Sequence, residues 1–322
     1  MCVEFCELCV VHWIIDGKLL ILQLGKKANQ STIMTNSADI QSGPIQIDLP
    51  AVLRSKLRNK ARYVPGWLVR WLERTICVPQ LNRLLADNYP KRGADFAGGV
   101  LSDLNVRVET VGIENLPPRE HRRVLFACNH PLGGADGLAL IKFMHDYYGG
   151  DVYVVVNDIL MAIEPLAETF VPVNKHGAQG HGNARLFEEV LASDNPVLFF
   201  PAGLVSRLGK KGIIADLKWK NTFVNKAIAH RRDVVPLFFS GHNSRFFYRF
   251  ARWRERLGIK LNIEMVRLPR ELVRLTDTTL QIICGKPVAW QTLKGGAHTA
   301  QTVSELRAMT YALAPKNTTT RK

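Results

Sequence analysis

No stretch of this sequence holds the roughly 18–20 apolar residues that a helix needs to cross a bilayer. The apolar patch from Cys9 to Ile15 is short and is interrupted by His12 and Trp13. It also lacks the basic leader and small-residue cleavage site of a secretory signal. Cysteines are few: six, at 2, 6, 9, 77, 128 and 284, in a chain of 322 residues. That is too sparse for a disulfide scaffold and suits a reducing compartment. Cys2, Cys6 and Cys9 lie close together, but no further Cys/His pair stands nearby to complete four ligands, so no metal site is expected. Acidic residues are also scarce, 28 Asp+Glu against 43 Lys+Arg, leaving a net charge of +15. Such an excess speaks to partners and not to fold, and it suits nucleic acid, an anionic membrane surface or an acidic protein. Neither an internal repeat nor a low-complexity segment is present.

What is present is enough apolar residue, 47% of the chain, for a substantial core, with 22% charged. The length fits one large α/β domain or two small ones. The protein is expected to be cytoplasmic, touching the inner face of a membrane from the side. Residues 1–33 fit poorly with the rest of the chain. Lys18 to Gln23 is strand-like, a polar stretch runs from Lys26 to Thr32, and Met34 then reads as the natural start, leaving 1–33 as an extension or a disordered segment. Residues 34–103 form a basic helical segment, 104–314 the main α/β domain, and 315–322 a polar, frayed tail.

Within the helical segment, Arg54, Lys56, Arg58, Lys60 and Arg62 precede the breaker Pro65-Gly66. An i, i+4 spacing then puts Trp67 and Trp71 on one helix face and Arg70 and Arg74 on another. Two readings stand: a helix at a membrane interface, or a helix packed on the main domain with a solvated basic face. From Leu104 onward, short apolar strands alternate with helical stretches. Val106 to Gly112 alternates and reads as an edge strand. Val124 to Cys128, Val152 to Val156, Val197 to Phe200, Val234 to Phe239 and Leu280 to Cys284 are continuous apolar runs, suited to strands covered on both faces. Between them Gly137 to Tyr148, Gly182 to Ser193 and Lys218 to His230 read as helices. The fold class is therefore α/β, a single mixed-sheet α/β sandwich with a basic N-terminal helical segment.

The stretch richest in chemistry is Val124-Leu-Phe-Ala-Cys-Asn129-His130-Pro-Leu-Gly133-Gly134-Ala-Asp136-Gly. A buried strand ends, a histidine follows, then a glycine turn, an aspartate and a helix. Strand ends are where α/β folds place catalytic groups. A histidine there can take a proton from a hydroxyl near neutral pH. An aspartate across the turn can accept the other ring N–H, fixing the tautomer and stabilising the imidazolium. Gly133 and Gly134 let the backbone fold back so that the two side chains meet, and Asp136 is placed to cap the next helix.

These residues resemble the first motif of the lysophospholipid (glycerolipid) acyltransferase family, His, four residues, then Asp, introduced by Asn. Here five residues intervene, the form of the hemolysin-labelled branch, which includes O-acyltransferases for ornithine-, glycine- and similar amino-acid lipids. Phe170-Val-Pro-Val-Asn-Lys175 resembles the family's second motif, with Lys175 in place of the usual arginine. Phe200-Pro-Ala202-Gly203-Leu-Val-Ser206-Arg207 resembles its third, with Ala202 where a carboxylate is expected and the basic residue moved to Arg207. Val234-Val-Pro236-Leu resembles its fourth. The resemblance covers roughly Asn105 to Val288.

It implies an O-acyltransferase with His130 and Asp136 catalytic, and with Asn129, Gly133, Gly134, Lys175, Gly203 and Arg207 around the substrates. The acyl donor is then a thioester of acyl carrier protein or coenzyme A. The acidic carrier protein is favoured on a basic surface. No metal or redox cofactor is implied. The acceptor is a lyso-lipid, and the changed second and third motifs favour a lyso-amino-acid lipid, its carboxylate met by Arg207, over lysophosphatidate. Cys128, inside the strand, reads as core filler. The alternative from another class is a catalytically silent membrane-binding protein on the same fold. Two further stretches, Lys210 to Lys226 around Trp219 and Phe223, and Arg245 to Lys260 with Phe246, Phe247, Tyr248, Phe250 and Trp253, interleave basic and aromatic residues. They are read first as a rim facing anionic lipid and second as solvated helices; no nucleic acid partner is expected.

Overall fold

The structure is a computed structural model and describes residues 43–57, 63–173, 180–209, 212–259 and 262–315. The N-terminal extension 1–33, Lys175 and all of the tail but Pro315 lie outside the described residues.

The continuous apolar runs become the strands of one seven-stranded sheet in the order β1-β9-β8-β2-β5-β3-β4. These are β1 (Arg107–Val111), β2 (Val124–Cys128), β3 (Tyr153–Asn157), β4 (Phe170–Val173), β5 (Val197–Phe199), β8 (Asp233–Phe239) and β9 (Thr279–Cys284), while β6 (Arg207–Leu208) and β7 (Ile214–Ala215) pair separately as a small antiparallel ribbon. The pairing of β8 with β9 is antiparallel and every other pairing is parallel, so β1 and β9 run against the other strands. The sheet is mixed, as expected. The alternating strand lies at one edge with an exposed and half-buried pattern, as its sequence implies.

Central β2 shows why an unbroken apolar run was needed. Val124, Phe126 and Cys128 enter a cluster with helices α4 (Gly93–Asp103) and α5 (Gly134–Tyr148) on one face. Leu125 and Ala127 enter a second cluster with α6 (Gly180–Ala192), α7 (Thr222–Ala229) and α10 (Thr299–Ala312) on the other. Side chains alternate across a strand, so burial on both faces demands apolar residues at every position. The helix expected from Lys218 begins later, at Thr222. Before it, the Trp219 side chain is pinned to Asp216 and the Lys220 N–H to the Pro201 carbonyl, which holds this stretch as a loop.

Upstream, α1 (Leu49–Leu57), α2 (Gly66–Ile76) and α3 (Val78–Asp87) share a smaller cluster of Leu49, Val52, Leu53, Leu68, Leu72 and Ile76. The buried residues of α2 leave Trp67 and Trp71 outward, each 49% exposed, with Arg70 and Arg74 beside them. No helix among the described residues is long and apolar enough to cross a membrane.

At the opposite end of the sheet from the glycine turn that follows β2, Arg232 is fully buried with its guanidinium spread over backbone carbonyls. It donates to Leu191 (2.8 Å), Asn195 (2.8 Å), Val190 (3.1 Å) and Val124 (3.1 Å), and also to Ser193. Several of these are the unpaired carbonyls at the end of α6, where a cation also meets the negative pole of the helix. Arg232→Met removes five donors from buried acceptors at once and should cost about 3 kcal/mol or more of stability in urea unfolding. A loss below about 1 kcal/mol would contradict this reading of the cap.

Candidate active site

Three neighbouring parallel strands in the middle of the sheet end side by side, β2 at Cys128, β5 at Phe199 and β8 at Phe239. The residues just beyond them converge. Asn129, buried, ties two ends together: its amide donates to the Phe239 carbonyl at 2.9 Å and its oxygen accepts the Phe239 N–H at 2.6 Å. It holds the platform from below, committed to backbone and not to a ligand.

On that platform the His130 Nδ1 lies 3.0 Å from Asp136 Oδ2. The same oxygen accepts the N–H groups of Leu132 (3.0 Å) and Gly133 (3.2 Å), while Oδ1 accepts that of Gly137 (2.9 Å). Asp136 thus closes the glycine turn, caps the first turn of α5 and orients the imidazole together. Gly133 takes φ +93°, a conformation that favours glycine, within the five residues that fold back between His130 and Asp136. With Nδ1 given to the carboxylate, Nε2 is the nitrogen left for substrate. The Phe200 ring stacks on the imidazole at 4.0 Å between centroids.

Charge follows the same geometry. Burial acts to lower the His130 pKa, but the Asp136 carboxylate, its hydrogen bond and the Asp216 carboxylate outweigh that, and the net direction is up. Burial acts to raise Asp136, and the histidine with the Leu132 and Gly133 N–H groups brings it below the ordinary carboxylate value. A basic histidine beside a firmly ionised aspartate can accept a proton at Nε2 and hold the imidazolium. Burial pushes the Cys128 thiol well up, so it stays protonated in the strand, consistent with a core role.

The loop from Phe200 to Arg207 packs against the glycine turn. The Ser206 N–H donates to the His130 carbonyl at 2.7 Å, and Gly203 turns at φ +69° with the Lys220 ammonium over its Cα. Lys220 is exposed. Arg207, expected to reach a headgroup carboxylate, is instead buried and bound to Glu264, Nη2 to Oε1 at 2.6 Å, with Arg254 on the other carboxylate oxygen at 2.9 Å. The ion cluster ties the loop to α8 (Arg245–Arg256) and to the turn Ile263–Arg267. Its burial lowers the Arg207 pKa. Lys175 lies outside the described residues.

Four residues join the site unforeseen. Asp216 accepts the His130 N–H at 3.1 Å, Asn243 donates to the Pro131 carbonyl at 3.1 Å, and α9 (Leu268–Val273) lays Leu268 and Leu272 over the glycine turn. In sequence Asp216 is the one acidic residue between Lys210 and Lys226, and nothing marks the other segments. No cluster of His, Cys, Asp and Glu among the described residues could hold a metal ion.

The glycine turn itself is testable without any substrate. A Cβ on Gly133 would sit 3.0 Å from Leu268 Cδ1 and 3.1 Å from Val205 Cγ1 at a backbone angle that side chains rarely adopt. Gly133→Ala should lose about 2 kcal/mol in denaturant unfolding. An unchanged midpoint would mean that the turn is not held as described.

Comparison with known proteins bears on what such a site does. The model of the family described as Acyltransferase matches residues 51–319. A lyso-glycine lipid O-acyltransferase of Phocaeicola vulgatus is 41% identical over 267 residues, 83% of this chain and 95% of that protein. A lyso-glycine lipid O-acyltransferase of Bacteroides thetaiotaomicron is 39% identical over 267 residues, 83% of this chain and 97% of that protein. Among solved structures, the 1-acyl-sn-glycerophosphate (LPA) acyltransferase PlsC of Thermotoga maritima aligns over 82% of this chain and 93% of its own, with a TM-score of 0.43 at 14% identity. With a family match over most of its length and relatives this similar across nearly their whole length, the chain belongs to the Acyltransferase family.

Proposed function

We propose that this protein transfers a fatty acyl group from a thioester to the hydroxyl of a lyso-lipid, with His130 as general base. The observation that carries the reading is the His130–Asp136 pair, which leaves Nε2 free beside the Phe200 to Ser206 loop. The acceptor hydroxyl gives its proton to Nε2 as its oxygen bonds to the thioester carbonyl carbon. Backbone N–H groups of the two turns stabilise the tetrahedral oxyanion. The carbon–sulfur bond then breaks and the departing sulfur takes the proton from the imidazolium, leaving a two-chain lipid and a free thiol. No side-chain nucleophile is needed. The donor is a carrier-protein or coenzyme A thioester, and the net charge of +15 favours the acidic carrier protein.

For the acceptor we favour a lyso-amino-acid lipid, the substrate class in the names of the two relatives. Since Arg207 is held by Glu264, the cation assigned to the headgroup carboxylate passes to Lys220 beside Gly203. The membrane supplies and receives these lipids. Support for peripheral docking comes from two aromatic and basic faces. One is Trp67, Trp71, Arg70 and Arg74 on α2. The other is Phe246, Phe250 and Trp253 on α8, stacked in sequence and interleaved with Arg249, Arg252 and Arg256. Between them run Ile263–Arg267, which touches both helices, and α9, which touches α2 and carries Leu268 and Leu272 onto the glycine turn. Docking by both faces brings the site to the headgroup layer.

His130→Ala should lower acyl transfer to lyso-glycine lipid by about 10²–10⁴-fold without changing the far-ultraviolet spectrum. Turnover near wild type would sink the general-base reading. Offered both acceptors, the wild type should prefer lyso-glycine lipid to lysophosphatidate, and Lys220→Gln should raise KM for the free acid but not for its methyl ester. A preference for lysophosphatidate would return the protein to phospholipid synthesis.

Docking has its own signature. Binding to anionic vesicles should fall steeply as salt rises, and Trp67→Ala with Trp71→Ala should remove much of what salt leaves. Binding in flotation assays that ignores salt, lipid charge and both tryptophans would contradict the peripheral reading.

A further inference from the structure

We propose that Asp216 is a positioning residue for His130, fixing the histidine's main chain against the Phe200 to Arg207 loop so that Nε2 stands where the acceptor hydroxyl must arrive. The inference rests on the general-base reading of His130 and adds a residue to it.

The carboxylate of Asp216 is buried, and both of its oxygens are used. Oδ1 accepts the His130 backbone N–H at 3.1 Å and the Ser206 hydroxyl at 2.6 Å, and Oδ2 accepts the Trp219 indole N–H at 2.9 Å. Because the Ser206 N–H also donates to the His130 carbonyl at 2.7 Å, His130, Ser206 and Asp216 close a ring of three hydrogen bonds. The aspartate cannot swing away. Its own N–H donates to the Tyr311 hydroxyl at 2.7 Å and Arg307 Nη2 donates to its carbonyl at 3.0 Å, both from α10 on the far face of the sheet. One residue therefore joins the catalytic turn, the Phe200 loop, the loop before α7 and the C-terminal helix.

The choice of a carboxylate is informative. Its side-chain partners are all neutral donors, and no ion pair to it is found among the described residues. A buried carboxylate without a cation is costly, and a neutral side chain of the same shape could bridge the same loops for less. The group that gains a positive charge beside it during turnover is the His130 imidazole. Asp216 therefore holds the position of the base and favours its charged form. Asp136 from α5 and Asp216 are the charged groups that act on the imidazole. Its ring face is covered by Phe200, and the turn beside it by Val205, Leu268 and Leu272, all apolar.

Asp216→Asn keeps the shape and removes the charge. With rates normalised to folded enzyme, kcat should fall about tenfold or more, while KM for the acceptor stays within about twofold. The acid limb of the kcat profile should also move to lower pH. Loss of a negative charge destabilises the imidazolium, so His130 becomes neutral, and active, at lower pH. A residue that merely supports the fold would lower the unfolding temperature and leave both kcat per folded molecule and the acid limb in place. A wild-type kcat, or a fall in kcat with an unmoved acid limb, overturns the proposal. If Asp216→Asn is not recovered folded, Ser206→Ala decides, since it breaks the ring and keeps the charge. A lowered kcat at unchanged KM then supports the proposal, and a wild-type kcat overturns it. His130→Ala separates the two readings: if that variant still turns over, the general-base reading falls; if it is dead while Asp216→Asn is normal, only the role of Asp216 falls.

Discussion

Everything in the site hangs on one buried carboxylate. Asp136 has no exposed surface, and its two oxygens accept one imidazole N–H and three backbone N–H groups. A carboxylate so enclosed is costly unless every lone pair is met, and here the donors that meet it are the glycine turn, the start of α5 and the histidine. The sequence Pro-Leu-Gly-Gly-Ala between His130 and Asp136 is thus a device for folding backbone donors onto one oxygen. Gly133, in the left-handed half of backbone space, makes the fold-back possible with five residues in the span.

Around that point the sheet works as a rigid frame. Asn129 locks the ends of β2 and β8, Phe200 comes directly after β5, and the three strands bring their ends to one place because both faces of β2 are buried. A frame this well packed lets the His130 side chain be held in place by its protein neighbours. The aromatic helices α2 and α8 sit outside the frame; both touch Ile263–Arg267, and α8 also packs Phe247 and Tyr248 against Val205 and the start of the Arg207 segment. The exposed aromatic faces and the His130–Asp136 pair therefore lie on different parts of the fold, with Leu268 and Leu272 packed on the glycine turn between them.

What could be read in advance divides along sequence distance. The strands Val124 to Cys128, Val234 to Phe239 and Leu280 to Cys284 were legible because burial on two faces leaves an unbroken apolar run, a purely local signature. His130 and Asp136 were legible for the same reason, being separated by a single turn. The antiparallel entry of β9 was not, since strand direction depends on partners far away in the chain. Arg207 misled because its partner Glu264 lies 57 residues on, and a buried ion pair looks in sequence like a free cation. Asp216 escaped notice because it meets His130 from 86 residues away, and only the folded chain shows that the lone acid among lysines points inward.

The central claim is that Asp136 holds His130 with its proton on Nδ1 and Nε2 bare. Free histidine favours the opposite tautomer, so nitrogen chemical shifts of ¹⁵N-labelled histidine in the intact protein, assigned by loss of the signal in His130→Gln, test it directly. Above the titration of the ring, Nδ1 should be protonated and Nε2 unprotonated. A proton found on Nε2 at that pH would contradict the claim, because no base would then face the acceptor hydroxyl.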